Sequence, residues 1–116
     1  MLLLWSGNLE KGREMEYKRF MAKNLATFKK HAPPGWTLKG VYGATFYIGK
    51  YDVTWIWEFK KFADLDAARD YADPVYDSLS IEEIDFYIPG SFDLTILREV
   101  DDWRVTPPKK AKKQKK

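Results

Sequence analysis

The spacing of the hydrophobic residues changes several times along this chain, between the period of a strand and that of a helix. The order of those changes restricts the fold more than any single motif does. A short apolar run at residues 2–5 indicates a strand. Apolar residues at three- and four-residue steps then predict a helix over residues 13–31, which ends before the Pro-Pro-Gly of residues 33–35. Over residues 36–60 the period becomes 2, with a turn expected at Gly49-Lys50, so the pattern predicts a β-hairpin.

The second half of the chain repeats a helix followed by an extended segment. Asp64 is expected to cap a second helix, and Pro74 is expected to break it near Asp73, which can cap the continuation. Residues 81–100 are expected to be extended, with a kink or turn at Pro89-Gly90 before Phe92. The order β-α-β-β-α-β predicts an α+β ferredoxin-like fold, with an antiparallel sheet and two helices on one face.

Two details of the hairpin carry further predictions. Gly40 and Gly43 inside its first strand indicate a bulge or a close approach to the backbone. The apolar residues of that strand are expected on one side of it: Trp36, Leu38, Tyr42, Phe46 and Ile48. In the second strand Val53, Trp55, Trp57 and Phe59 share a face, whereas Thr45, Tyr47 and Ile56 give the other face little polarity. A second sheet would cover such a face, so the pattern predicts a homodimer through the sheet.

The length and composition exclude several classes of protein. A chain of 116 residues fits one domain, and with no cysteine it has no disulfide framework and no thiolate metal site. No apolar run approaches the ~20 residues that span a bilayer. Residues 2–5 are too few for a signal peptide. We therefore expect a cytoplasmic protein.

The positive charge of the chain lies in its last residues. Six of the 20 Lys and Arg residues follow residue 104, so residues 1–104 carry 14 basic side chains against 17 acidic ones. The sequence therefore predicts a folded domain over residues 1–104 and a disordered Lys-rich tail over residues 105–116. Such a tail either attracts polyanions weakly or only increases solubility. The lysines that would contact a polyanion are Lys109, Lys110, Lys112, Lys113, Lys115 and Lys116.

The usual motifs of catalysis are missing from the sequence, so no catalytic residue, metal site or cofactor is predicted. His31, the single histidine, stands at a predicted helix end, where it needs no catalytic explanation. Glu82, Glu83 and Asp85 lie together and could hold a hard cation, but such clusters are usually solvated.

The aromatic residues are the unusual feature of the composition. Trp, Tyr and Phe together make up 19 of the 116 residues. Large rings with a few polar groups are typical of a pocket for a flat apolar ligand, and also of a plain aromatic core, which is the commoner arrangement. Stacking of single-stranded nucleic acid is disfavoured because Asp52, Thr54 and Glu58 alternate with the rings. The candidate ligand-binding residues are Asn8, Tyr42, Trp55, Trp57, Tyr71, Tyr76 and Arg98.

The strand Thr-Trp-Ile-Trp-Glu at residues 54–58, followed by an Asp-capped, alanine-rich helix and Asp73-Pro74, resembles the dimeric α+β barrel superfamily. That superfamily includes antibiotic biosynthesis monooxygenases, NIPSNAP-like proteins and stress-responsive barrels. The resemblance implies a dimer with back-to-back sheets and a cleft between sheet and helices that binds aromatic or hydrophobic molecules. It also implies that Asn8 and Trp57 stand where the haem-degrading members have pocket residues, but residues 69–79 lack the axial His of that branch.

The sequence thus predicts a dimeric α+β barrel protein that binds a hydrophobic or aromatic small molecule. A cofactor-independent, monooxygenase-like activity is implied by the resemblance. The alternative is a non-enzymatic interaction module that contacts nucleic acid or an acidic partner through its basic tail.

Overall fold

One antiparallel sheet, with helices packed on one face, accounts for the part of the chain that the computed structural model describes, residues 1–46 and 48–103. The elements follow the predicted order, and the second helix is divided in two at the break predicted before Pro74. They are β1 (Leu2–Gly7), α1 (Glu14–Lys30), β2 (Thr37–Thr45), β3 (Ile48–Glu58), α2 (Ala63–Arg69), α3 (Pro74–Ile84) and β4 (Asp93–Leu97), followed by a single 3-10 turn (Val100–Asp102). The predicted ferredoxin-like α+β fold is confirmed.

The sheet has the strand order β2-β3-β1-β4. β1 lies in the middle and pairs antiparallel with both β3 and β4, so that Trp5 stands opposite Trp55 on one side and Leu94 on the other. β2 and β4 are therefore the edges. The strand that follows α1 lies beside β3 rather than beside β1, which is the split βαβ arrangement.

The core lies between the sheet and the helices. Val53, Trp55 and Trp57 alternate along β3 and are 4–7% exposed, as the period of 2 predicts. From the helix side, Phe28 of α1 is 1% exposed and meets the Trp55 ring edge-on, with 5.0 Å between the ring centroids. Edge-to-face pairs of this kind contribute about 0.5–1.5 kcal/mol beyond their buried area.

The register of β2 corrects one sequence prediction. The strand shifts register between Leu38 and Gly40, so Val41, and not Tyr42, comes opposite Trp55 on the helix side. The Tyr42 ring instead covers Gly40, where an added Cβ would lie 2.9 Å from the ring. The bulge that the glycines predict is confirmed. Because of it, Leu38 and Tyr42 lie on opposite faces of the sheet although they are an even number of residues apart.

The hairpin turn also lies earlier than predicted. Thr45 pairs with Ile48, so Gly49 and Lys50 belong to β3 and not to the turn. Phe46 has a φ of 54°, the left-handed region that a tight two-residue connection requires. Phe46 and Ile48 are 86% and 77% exposed, so the apolar stripe predicted for this strand ends well before the turn.

Asp64 is not a helix cap, contrary to the prediction. It is the second residue of α2, and its carboxylate accepts hydrogen bonds from the backbone N–H groups of Lys60 and Lys61, which precede the helix. Its backbone carbonyl accepts the indole N–H of Trp36 at 2.7 Å. Asp64 therefore fixes the loop between β3 and α2 against the start of β2.

Asp73 does cap a helix, as predicted. Its carboxylate accepts hydrogen bonds from the backbone N–H groups of Val75 and Tyr76, and Pro74 occupies the first helical position. The other carboxylate oxygen lies 3.0 Å from Nδ1 of His31 at the end of α1. The start of α3 is thereby fixed to the end of α1.

The prediction of an extended segment over residues 81–100 is wrong for its first part. Helix α3 continues to Ile84, and only Asp93–Leu97 forms a strand. The end of this helix was not recognised in the sequence because Glu83 occupies an inward position. The periodicity of an amphipathic helix predicts an apolar residue there.

The sheet face away from the helices is of mixed character. Across the middle of the four strands the residues paired side by side on this face are Gly40, Ile56, Leu4 and Thr95. In the neighbouring set of paired residues, the hydroxyls of Ser6 and Thr54 are hydrogen-bonded at 2.9 Å. The predicted lack of strong polarity is therefore seen at the centre of this face.

Two further sequence predictions concern a membrane-spanning segment and the C-terminal tail. No helix described here is long and apolar enough to cross a membrane. The lysine-rich tail lies outside the described residues.

Candidate functional site

A cleft opens between the sheet and the two helices α1 and α3. Its volume is about 240 Å³, somewhat below the roughly 300–1,000 Å³ of pockets that bind drug-sized molecules. A space of this size limits a ligand to one or two fused rings. The lining residues are Leu3 and Trp5 of β1, Phe28 of α1, Trp55 and Trp57 of β3, and Tyr76, Ser80, Glu83 and Ile84 of α3.

The position of the α3 residues in the cleft follows from helix geometry. Tyr76, Ser80 and Glu83 are spaced by four and three residues, so they lie on one face of α3. Because Asp73 fixes where this helix begins, it also fixes which face is turned to the sheet. The helix therefore places two polar groups and one aromatic ring against the tryptophans of β3.

The sheet side of the cleft is a tryptophan wall. Trp55 and Trp57 are stacked, with an interplanar angle of 17° and 6.2 Å between ring centroids. Trp5 meets Trp55 edge-on at 6.5 Å from the neighbouring strand. The residues at the next inward positions of β4, Leu94 and Ile96, are 57% and 42% exposed, so the cleft continues as an apolar surface toward the sheet edge.

Among the residues that the structure describes, Glu83 is the one charged residue that lines this cleft, and its side chain takes part in a buried hydrogen-bond network. The residue is 6% exposed, and its Oε2 accepts the hydroxyl proton of Tyr17 at 2.8 Å. The Tyr17 oxygen also lies 2.7 Å from the Tyr87 hydroxyl and accepts the Trp55 indole N–H at 3.3 Å. Since Tyr17 donates its own proton to the carboxylate, Tyr87 is the donor in the hydroxyl pair.

The electrostatics of the network follow from burial. Desolvation raises the pKa of Glu83 above its ordinary value, although hydrogen bonding from the tyrosine network opposes this. Burial and the neighbouring Glu83 raise the pKa of Tyr17 and of Tyr87 far above the usual range of tyrosine, so both remain protonated donors. Burial likewise raises the pKa of Tyr76 to about 12.

The carboxylate has no ionic partner among residues 1–46 and 48–103. The ion pairs there involve other acidic groups, such as Glu16 and Asp85 with Arg13, and Asp66 with Arg69. A buried carboxylate is usually paired with a cation, because the protein interior replaces little of its hydration. Glu83 is an exception within a cleft that a ligand can enter.

The sequence-predicted site residues divide into two groups. Trp55, Trp57 and Tyr76 line the cleft together, and the ring of Tyr71 lies behind that of Tyr76 with 5.8 Å between centroids. The hydroxyl of Tyr71 donates to the carbonyl of His31, which joins the loop before α3 to the end of α1.

The other three predicted site residues lie away from the cleft. Asn8 is in the loop after β1 and accepts a hydrogen bond from the backbone N–H of Asp52. Tyr42 borders a larger groove of about 470 Å³ between α1 and β2, which contains no buried charged side chain. Arg98 follows β4 and borders a cavity at the far end of the sheet.

Sequence reasoning missed Glu83, Tyr17 and Tyr87. Glu83 stood in an acidic run interpreted as solvated, but Glu82 is exposed and Asp85 is directed to Arg13, so the three carboxylates do not converge. No cluster of three or more metal-ligating side chains occurs in the described part of the chain. The signal that could have revealed Glu83 is its seven-residue spacing from Tyr76 on one helix face.

Comparison with solved structures identifies the fold. A NIPSNAP family protein from Agrobacterium tumefaciens superposes with a TM-score of 0.67 and 15% identity, over 87% of this chain and 93% of that one. An uncharacterised NIPSNAP domain protein from Burkholderia xenovorans gives 0.62 and 14% identity, over 86% and 97% of the two chains. This chain has the fold of the NIPSNAP-like proteins.

A third solved structure with this NIPSNAP-like fold is described as dimeric. It is a ferredoxin-like protein of unknown function from Jannaschia, with a TM-score of 0.57 and 16% identity, over 84% of this chain and 97% of that one. No family profile and no curated protein sequence matches the chain. The resemblance to NIPSNAP-like dimeric α+β barrels therefore agrees with the solved structures at the level of fold.

Proposed function

We propose that this protein binds a small, flat, hydrophobic molecule in the cleft between the sheet and α3. The observation that carries the proposal is the combination of an apolar, ring-lined cavity with a buried carboxylate that has no ionic partner in the described segments. A filled aromatic core would leave neither the cavity nor the uncompensated charge. The oxygenase-like activity that the resemblance implies stays a prediction.

A neutral bicyclic probe, 2-(2-naphthyl)ethanol, tests binding through tryptophan fluorescence and thermal unfolding. A ligand at 100 times its Kd adds about 2.7 kcal/mol to the free energy of unfolding. For a domain of this size the melting temperature should then rise by roughly 10 °C. The absence of any shift with this probe and its ring-size analogues would contradict the proposal.

A pair of variants on α3 locates the binding. Ser80 lines the cleft, whereas Ser78 on the same helix is exposed. Ser80→Phe should fill the cavity and abolish the fluorescence change, and Ser78→Phe should bind as the wild type does. Equal binding by both variants would place the ligand elsewhere.

We further propose that two copies associate through the sheet face away from the helices. Ile56 and Leu4 form the apolar centre of that face, and the Jannaschia protein of the same fold is described as dimeric. Ile56→Lys should convert a dimer to a monomer in sedimentation experiments. Ile81→Lys, on a helix position that is 69% exposed, should leave the mass unchanged. A monomeric wild type at micromolar concentration would refute the proposed dimer.

The alternative function, polyanion contact by the lysine-rich tail, concerns residues outside the described segments. It stays a prediction.

A further inference from the structure

The charge of the cleft restricts which hydrophobic molecules it can accept. Its lining includes Glu83 and, among residues 1–46 and 48–103, no Lys, Arg or His. An anionic ligand would bring a second negative charge to within a few ångströms of a carboxylate that is 6% exposed, with little water between them to screen the repulsion. Carboxylic acids and phenolates are therefore disfavoured.

The hydrogen bonds to Glu83 do not neutralise it. Tyr17 donates to Oε2, and Tyr87 and Trp55 strengthen that donor by donating to the Tyr17 oxygen in turn. All three groups are uncharged dipoles, so none of them supplies a counter-charge to the carboxylate. A cation that enters the cleft would supply the missing counter-charge.

The walls of the cleft also favour positive charge. The faces of aromatic rings carry partial negative charge and attract organic cations, most strongly in the case of tryptophan. Here Trp55 and Trp57 are stacked beside one another, and Trp5 stands at the same wall. A site with one carboxylate and several indole rings therefore matches a ligand that is positively charged at one end and apolar at the other.

We propose that the cleft selects a hydrophobic amine, whose protonated nitrogen donates a hydrogen bond to the Glu83 carboxylate while its ring packs against Trp55 and Trp57. This inference rests on the proposed function, since it names the chemical class of the ligand for the same cleft. The volume of about 240 Å³ restricts the ligand to an arylalkylamine of one or two rings.

Three probes with the same ring system test the inference by calorimetric titration at pH 7.5. They are 2-(2-naphthyl)ethylamine, 2-(2-naphthyl)ethanol and 2-naphthylacetic acid, which are cationic, neutral and anionic at this pH. The wild type should bind the amine at least about tenfold more tightly than the alcohol, because charge-assisted hydrogen bonds are roughly twice as strong as neutral ones. The acid should bind more weakly than the alcohol.

Glu83→Gln removes the charge and keeps an oxygen that can accept the Tyr17 hydrogen bond. In this variant the amine and the alcohol should bind with equal affinity. Glu82→Gln is the matched control, since Glu82 is the exposed neighbour on the same helix. It should retain the tenfold preference for the amine.

The outcomes separate this inference from the proposed function. If the wild type binds the alcohol as tightly as the amine, the inference is wrong and the hydrophobic cleft remains. If the Glu83→Gln variant keeps the preference for the amine, the carboxylate is not its source and the inference is again wrong. If none of the three probes binds, both proposals fail. The ranking of probes by the wild type is decisive even if the variant does not fold.

Discussion

Replacing Glu83 with Gln should make the protein more stable at neutral pH, and the gain should depend on pH. Burial raises the pKa of Glu83, so the folded state binds its proton more tightly than the unfolded state does. Below the ordinary pKa of a glutamate, near 4.5, the carboxyl is protonated in both states and its burial costs little. As the pH rises through the raised pKa, the folded protein must hold an ionised group in the cleft, and stability is lost.

The size of the effect follows from the surroundings of the side chain. Each unit of pKa difference corresponds to about 1.4 kcal/mol. Leaving a buried polar group incompletely satisfied costs about 1–3 kcal/mol. Because the Tyr17 hydroxyl satisfies one carboxylate oxygen of a residue that is 6% exposed, we expect Glu83→Gln to add about 1–3 kcal/mol at pH 7.5 and nearly nothing at pH 4.

Urea unfolding followed by tryptophan fluorescence at pH 4.0 and pH 7.5 measures this difference. Glu82→Gln should show no gain at either pH, since that side chain is exposed. A Glu83→Gln variant that is less stable than the wild type at pH 7.5, or that gains equally at both values, would refute the reasoning. An increase in stability on loss of this charge would support the proposed role of Glu83 in ligand binding over a purely structural role.

Three other substitutions give further expectations. Tyr17→Phe removes the hydroxyl at the centre of the buried network and should lower the free energy of unfolding by about 1–3 kcal/mol, whereas Tyr51→Phe, whose hydroxyl makes an exposed hydrogen bond, should change it by less than about 0.5 kcal/mol in the same urea titration. Phe28→Ala, at a position 1% exposed, should cost about 3–5 kcal/mol by urea unfolding. Asp73→Ala should lower the melting temperature at pH 7. A backbone hydrogen bond from Tyr76, together with the imidazole and hydroxyl partners, lowers the pKa of Asp73 to about 2. The stability that Asp73 contributes is therefore present above pH 4 and lost as the pH falls through 2, so thermal melts of wild type and variant should converge there.

The fold could be predicted from the sequence because its elements satisfy local and global requirements together. The alternation of Val53, Trp55 and Trp57 follows from the period of a strand with one buried face, and the Asp73-Pro74 pair marks a helix start by backbone chemistry alone. The prediction for the face of Tyr42 failed because a local irregularity in β2 changes which residues of the strand point to the helices. One extra residue near Gly40 moves Tyr42 to the opposite face of the sheet, and hydrophobicity alone gives no sign of where such a shift occurs.

The site could be predicted only in its apolar half. Trp55 and Trp57 are recognisable as inward residues from the period of their strand, whereas a glutamate at an inward position looks like the end of a helix. Glu83 and Tyr17 are separated by 66 residues in sequence, and neither has an unusual neighbour along the chain. What makes them a site is a tertiary contact between α1 and α3, which no pattern within either helix encodes.

The same contact explains why a polar network can exist here without disrupting the core. Asp73 holds the start of α3 to His31 at the end of α1, so the two helices are joined at one point before their inward faces meet. Tyr76 is three residues and Glu83 ten residues after Asp73, and this seven-residue spacing places both on the helix face toward the sheet. Tyr76 and Leu79 of α3 are half-buried and pack against the core, so the polar cap and these apolar contacts orient the helix together. The inward carboxylate of Glu83 is accommodated in this arrangement because the Tyr17 hydroxyl donates a hydrogen bond to it.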